Sequence, residues 1–315
     1  MPLNGNHHPA VSVLVAAYNS EDFLPRCLES LERQSFRDFE TIVVNSSPEN
    51  RTAEVVSKFP FVRFFQSPGR LLPHAARNVG ASMARGSLYA FTDADCRADP
   101  DWLAELVKAH AAGHEIVAGC IDSQATAWIS RAIYLLKYAP YLRGKPAGPI
   151  SLAATGSLLV SQKVWKLAGP FDGSIFAGDA LFSWRARAAG FPPWFEPKAI
   201  VVDQDEKYRR GFCSERFRRG REFGEVRADF EKWAPALRLC RFLATPLALL
   251  AAMRAIAKEC QSGNRLGDFV AALPLLVMSQ TAWCLGEATG YVAPLLGDKT
   301  SRRYVPKQPT TAKTS

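Results

Sequence analysis

Two hydrophobic periods alternate along the first third of the chain. Residues 11–15 form a short unbroken apolar run, which reads as a buried strand. Phe23, Leu24, Cys27, Leu28 and Leu31 then recur at helical spacing, with Ser20 placed to cap the helix and Glu21 and Asp22 in its first turn. Residues 41–44, 62–65 and 88–92 read as three further strands. Residues 52–58 and 75–84 read as helices between them, the second rich in small residues and ended by Gly86. Such strand–helix alternation is the pattern of a parallel sheet with helices on both faces. Ligands of these sheets sit outside the carboxyl ends of the strands. Three polar clusters fall there: Tyr18 and Asn19; Asn45, Ser46 and Ser47; Asp93 and Asp95. The fold should gather them along one edge.

Beyond residue 115 the pattern loosens. Residues 115–118, 152–160 and 199–202 read as strands, and 127–138 and 180–189 as helices, the latter stopped by Gly190. Residues 141–150 hold Gly144, Pro146, Gly148 and Pro149 and read as a mobile loop. From residue 242 the composition turns strongly apolar, with two charge-free runs, 242–253 and 269–286. The second just reaches the length of a spanning helix and the first falls short. Basic residues flank both runs: Arg238 and Arg241 before, Arg254, Lys258 and Arg265 between, Lys299, Arg302 and Arg303 after. Two full spans would place the basic connection outside, against the positive-inside tendency. A re-entrant hairpin, or helices lying in the cytoplasmic interface, avoids that conflict. A soluble helical subdomain is the competing reading, since Pro246, Pro274 and Glu287 all weaken a span. The expectation is peripheral or re-entrant attachment to the cytoplasmic face of a membrane. The polar start shows no signal-peptide core, and the basic tail 299–315 is expected to be disordered.

Composition narrows the classes. The 315 residues are 48% hydrophobic and 22% charged, ordinary for a globular chain with a sizeable core. A net charge of +9 suits an anionic partner, such as a nucleotide phosphate or an acidic membrane. Nucleic acid is disfavoured, because no recognised nucleic-acid module accompanies the charge. The seven cysteines are scattered and never form a CxxC pair, which argues against a disulfide framework or a zinc site. Arginines concentrate in residues 207–227, among them Arg218, Arg219 and Arg221. A diphosphate clamp, a membrane-surface patch and a solvated face all fit that run.

Asp93-Ala94-Asp95 follows the strand at 88–92. Two carboxylates at a strand exit can share one hard divalent cation, Mg2+ or Mn2+, whose other oxygens come from phosphates and water. A solvated acidic turn is the alternative. Here the residues carry a resemblance. The stretch from Val11 to Ser20, Ala76-Arg77-Asn78-Val79-Gly80, and the run from Ala84 through Asp93-Ala94-Asp95 resemble segments of family 2 glycosyltransferases. Asp99-Pro100-Asp101-Trp102-Leu103, Thr155-Gly156-Ser157, Gly169-Pro170-Phe171-Asp172 and Gly178-Asp179 through Trp184-Arg185 continue in the family's order.

The resemblance covers roughly residues 9–205. It implies an α/β GT-A fold, Rossmann-like, with a mostly parallel sheet flanked by helices, followed here by a C-terminal hydrophobic helical region. The domains expected are 9–205 (catalytic), 206–235 (basic and helical) and 236–298 (membrane-associated helices). The activity implied is transfer of a sugar from a nucleotide-diphosphate donor to an acceptor hydroxyl, with a divalent metal and usually inversion. By the same resemblance Ala16, Tyr18, Asn19, Asn45, Arg77, Asp93 and Ala94 lie near the nucleotide sugar, and Asp93 and Asp95 hold the metal. Asp179 is the catalytic base, with a helix N-cap as its competing role. Trp184 and Arg185 lie near the acceptor or serve packing.

Three positions depart from the family's pattern. Asn45 stands where an aspartate commonly reads the base or ribose. Gly178 replaces the glutamate before Asp179. Asp203 stands where many relatives carry a histidine that helps hold metal or diphosphate. A nucleotidyltransferase and a non-catalytic nucleotide-sugar scaffold are the other classes these residues admit. The first is disfavoured by the absence of glycine in Ala16-Ala17-Tyr18-Asn19-Ser20.

Overall fold

The structure is a computed structural model that describes residues 8–48, 51–204 and 211–297. The tail expectation for 299–315 lies outside the described residues. The chain opens β1 (Val11–Ala17), α1 (Leu24–Glu32), β2 (Phe39–Asn45), α2 (Arg51–Val56), β3 (Val62–Gln66), α3 (Pro73–Met83) and β4 (Leu88–Asp93). It continues β5 (Cys96–Ala98), α4 (Trp102–Ala111), β6 (Ile116–Ser123), α5 (Trp128–Tyr138), β7 (Gly148–Pro149), β8 (Ser157–Ser161) and α6 (Gln162–Ala168). Then come α7 (Gly178–Ala188), β9 (Trp194–Asp203), α8 (Phe212–Phe230), α9 (Pro235–Leu243), α10 (Thr245–Ser262) and α11 (Leu266–Val292).

One nine-stranded sheet carries the fold, in the order β3-β2-β1-β4-β8-β6-β9-β5, with β7 pairing β9. The first four strands are parallel, as their alternation with helices requires. β8 runs antiparallel between β4 and β6, so the second half is mixed. β1 is central and its valines and leucine are buried on both faces, which is why it reads as a continuous apolar run. Register sets Ala16 opposite both Val44 and Asp93, and Ala17 opposite Asn45. The three polar clusters therefore converge on one edge, as expected.

Some local expectations change. Ser20 does not cap α1; its hydroxyl bonds back to the Tyr18 carbonyl, and α1 starts at Leu24 with Pro25 in its first turn. The strand expected over 152–160 forms later, as β8. The helices α4 and α6 were not foreseen. Residues 141–150 are not a mobile loop. Tyr141 and Leu142 are buried, the Tyr141 hydroxyl donates to the Leu152 carbonyl, and Lys145 pairs with Glu259 of α10.

The C-terminal helices pack onto this unit rather than forming a separate body. α11 lies along α8 through glycines on both helices. A Cβ at Gly220 or Gly224 would run into the Trp283 or Glu287 carbonyl, and one at Gly286 or Gly290 into the Phe217 or Arg221 carbonyl. Small residues four apart on each helix let the two backbones touch, the close approach familiar from helix pairs in membranes. Gly286→Val should therefore force α11 off α8 and destabilise the chain by ~1–3 kcal/mol. Gly267→Ala, in open space on the same helix, should be neutral or slightly stabilising. Thermal melts of both variants check this; equal melting temperatures would show that the contact is loose.

Candidate functional site

The site forms where β1, β2 and β4 end and α3 and α7 begin. At the end of β1 Tyr18 is half-exposed, with the Arg70 guanidinium 4.5 Å from its ring centroid. Asn19 takes a left-handed backbone conformation (φ 49°), and its N–H donates to the Ser47 hydroxyl at 2.7 Å. Ser47 in turn donates to Asn45 Oδ1, and Asn45 Nδ2 donates to Gln66 Oε1, both at 2.8 Å. Asn45 is fully buried. Its amide thus braces the ends of β2 and β3. Gln66, which sequence reasoning did not single out, is its partner.

On the metal side Asp93, Asp95 and Cys96 each offer a ligand atom within 4.8 Å of the others. The donor set fits a hard cation through its two carboxylates. Burial and the neighbouring aspartates push the Cys96 thiol well up. Asp203 stands in register with Cys96 across β5 and β9. Burial, then Asp93 and Asp203, push the Asp95 carboxyl up to about 7, with Lys137 pulling the other way. Lys137 of α5 lies 3.6 Å from Asp203. Where many relatives place a histidine, this chain thus sets an aspartate with a lysine beside it, a pairing that 66 residues of sequence separation hid. Ala94 is buried beneath the turn.

Arg77 is the charge that answers Asp93. Its side chain is only 5% exposed and pairs directly with Asp93. Its Nη1 also donates to His74 Nδ1 at 3.3 Å. An arginine has only donors, so Nδ1 accepts and the His74 proton sits on Nε2, which donates to the Phe176 carbonyl at 3.1 Å. Burial, then Arg77, hold this imidazole down at about 3, so it stays neutral. The Arg77 Nε is buried without a hydrogen-bond partner among the described residues.

His74 accounts for Gly178. A Cβ at Gly178 would lie 2.6 Å from His74 Cδ2 and 2.9 Å from the Asp172 carbonyl. The glutamate expected from the family's pattern has no room beside this histidine.

Asp179 follows in the first turn of α7. It is not the N-cap: that position is Ala177, and Glu222 of α8 accepts the Phe176 and Ala177 N–H groups at 2.7 and 2.9 Å. The N-cap alternative for Asp179 is thereby corrected, and Glu222 is a residue sequence reasoning missed. Asp179 accepts the Ala180 N–H at 2.8 Å and lies 3.9 Å from His74 Nε2. Its side chain is 33% exposed. Burial raises its carboxyl to about 6, with Arg77 opposing.

The remaining candidates are less gathered. Trp184 packs on Phe223 and Phe230 of α8 and so joins the two helices. Arg185 is exposed and lines a separate cavity with Asp172, Glu222, Glu225 and Asp229. The arginines of α8 do not form one face. Arg218 is exposed, Arg219 pairs with Glu215 and covers the Phe176 ring, and Arg221 pairs with Glu225. Arg219 alone of these reaches the segment before α7.

The open α/β sheet, with an acid pair and a buried arginine at its carboxyl edge, is a fold of the GT-A class. Residues 12–148 match the model of glycosyl transferase family 2. Glycosyltransferase AglE of Haloferax volcanii is 25% identical over 200 residues, 61% of this chain and 66% of its own length. Putative glycosyltransferase EpsH of Bacillus subtilis is 35% identical over 105 residues, 32% of this chain and 30% of its own. The chain thus spans about two thirds or less of these relatives. Among solved structures, the mannosyltransferase PcManGT of Pyrobaculum calidifontis, in complex with GDP-Man and Mn2+, superposes at TM-score 0.57 and 18% identity over 86% of this chain and 88% of its own. Over residues 12–148 the chain is thus similar to glycosyl transferase family 2.

Two predictions follow from the geometry. Gly178→Ala should disturb the loop before α7, and His74→Gly in the same chain should relieve it. A double-mutant cycle on thermal stability should show coupling of roughly 1 kcal/mol or more, whereas simple additivity would mean the two residues do not oppose each other. Because Asp95 must lose its proton to bind a cation, Mn2+ affinity measured by calorimetry should rise as pH is raised through about 7. A flat profile there would remove Asp95 from the cation site.

Proposed function

We propose that this chain transfers a sugar from a nucleoside-diphosphate donor to an acceptor hydroxyl with inversion, Asp179 accepting the hydroxyl proton. The observation that carries this reading is a single linked network. Arg77 pairs with Asp93 and holds His74, which bonds the segment leading into Asp179. Donor-side charge and the candidate base are thus fixed by one short helix.

Asp93 and Asp95 would hold a divalent cation, which when bound supplies positive charge against the diphosphate oxygens. The solved relatives support a metal-assisted donor: PcManGT holds GDP-Man and Mn2+, and GalNAc-T7 (TM-score 0.52, 17% identity) holds UDP, GalNAc and Mn2+. Arg77, held in place by Asp93 and His74, brings its positive charge to the diphosphate. Lys137 beside Asp203 adds a second cation to the edge. Tyr18 and Asn19 flank the nucleotide at the end of β1. Asp179, with a carboxyl raised only to about 6, is ionised at neutral pH and free to take a proton on Oδ2 while Oδ1 holds the Ala180 N–H. Fixed charges at the leaving group and a positioned base are the two contributions such a displacement needs. The reading extends to place, an enzyme held on the cytoplasmic face of a membrane and acting on a lipid-linked or envelope-polysaccharide acceptor.

Asp179→Asn separates base from scaffold, since the amide oxygen keeps the bond to Ala180. Turnover should fall by ~10²–10⁴ while metal-dependent donor binding is retained. In the wild type, turnover should drop as pH falls through about 6, where Asp179 takes up its proton. Transfer by the variant at a near wild-type rate would show that another group is the base.

A further inference from the structure

α11 is built inside out for a helix in water. Its polar residues turn toward the protein: Asp268 to Arg131 and Arg265, Gln280 to Arg216, Glu287 to Arg227. Its outward stripe is Leu266, Val270, Leu273, Val277, Met278 and Leu285, all exposed. A surface helix of a soluble protein shows the opposite arrangement. The neighbouring helices extend the stripe. Leu243, at the end of α9, and Leu247 and Leu250 of α10 are 69%, 69% and 62% exposed. Leu237, Leu239 and Phe242 of α9 join them. Leu295 and Leu296, in the turn after α11, are exposed too; elsewhere among the described residues, the exposed large apolar side chains are only Tyr18, Trp128, Leu167 and Phe176. A contiguous apolar surface of this kind marks an interaction site.

Charge indicates what covers it. At helical spacing beyond Leu247 and Leu250, the same stripe of α10 continues into exposed Arg254 and Lys258. Arg241 is exposed on α9. Glu259, the acid within this stretch, turns inward to Lys145. Apolar side chains bordered by cations, with the acids turned inward, complement a bilayer of anionic lipid.

Geometry decides how the layer meets it. α11 with the short turn after it, Leu266–Leu296, is long and apolar enough to cross a bilayer. Its second half, however, is locked by the paired glycines to α8, which carries Arg216, Arg219, Arg221, Glu222, Glu225 and Arg227. Crossing would take those charges into hydrocarbon, where charged side chains are strongly disfavoured. α9 and α10 meet at a 67° bend, and α10 carries Arg254 and Lys258 in its second half.

We propose that α9, α10 and the outward face of α11 form one surface that lies in the plane of an anionic membrane, with no helix crossing it. This deepens the membrane placement in the proposed function and does not depend on turnover. The test is flotation of the purified full chain with preformed vesicles. Vesicles of phosphatidylcholine with phosphatidylglycerol should carry the chain upward, and pure phosphatidylcholine much less. Leu247→Asp with Leu250→Asp, both at exposed positions, should weaken binding at least ~10-fold while leaving the melting temperature unchanged. Cys240, exposed on α9, should react with an aqueous maleimide in solution and be protected on the vesicles, as read by mass spectrometry. No flotation, equal flotation of the double variant, or a solution dimer that the double variant dissociates would each overturn the assignment, the last replacing lipid with a second copy. Release of nucleoside diphosphate from a donor, assayed without vesicles, reads the catalytic proposal separately, so either reading can fail alone.

Discussion

A guanidinium buried to the degree of Arg77 must be answered by an anion, and Asp93 answers it. That requirement fixes much of the site. It sets α3 against the exit of β4, directs Arg77 toward His74, and through the His74 Nε2 proton holds the Phe176 carbonyl. One turn along, Asn78 bonds both the N–H and the carbonyl of Phe171, pinning the segment that leads to α7 a second time. α3 is therefore the strut between the acid pair and the candidate base. Removing one partner of a buried ion pair of this kind costs ~3–5 kcal/mol, because the other charge stays buried and unpaired.

The electrostatic condition of the site follows from the same strut. Asp93, Asp95 and Asp203 crowd one edge, and Arg77 and Lys137 are the cations set among them. Burial, and then this crowding, raise the Asp95 carboxyl to about 7. An edge with more acids than bases suits a divalent cation, and the cations already present suit the diphosphate that accompanies it. Asp179 sits at the far side of this field, where burial raises its carboxyl and Arg77 keeps the rise modest.

The edge was legible in the sequence because period and turn chemistry are local. The runs that became β1 to β4 and the polar residues after them needed only a few neighbours to be read. The same local reading could have found α4, whose Trp102, Leu103 and Leu106 recur at helical spacing and are buried. The antiparallel direction of β8 could not be read that way, since a short apolar strand looks alike in either sense. Contacts across long separations were hidden as well: Lys137 with Asp203, Glu222 at the start of α7, Asn45 with Gln66. Gly178 looked like a loss until His74 was seen filling its place. For the apolar C-terminus, hydropathy gave the runs but not the face. The paired spacing Gly220, Gly224 and Gly286, Gly290 was a readable sign that α11 docks on α8.

The central claim is that this edge activates a nucleoside-diphosphate sugar with a divalent metal. The most direct test incubates the full chain with a panel of nucleotide sugars and Mn2+ and measures release of the nucleoside diphosphate. The account requires release from at least one donor, abolished by a chelator and by Asp95→Ala. Metal-dependent binding of a nucleoside diphosphate with no release from any donor, in the presence of varied acceptors, would contradict it and leave a binding protein in place of a transferase.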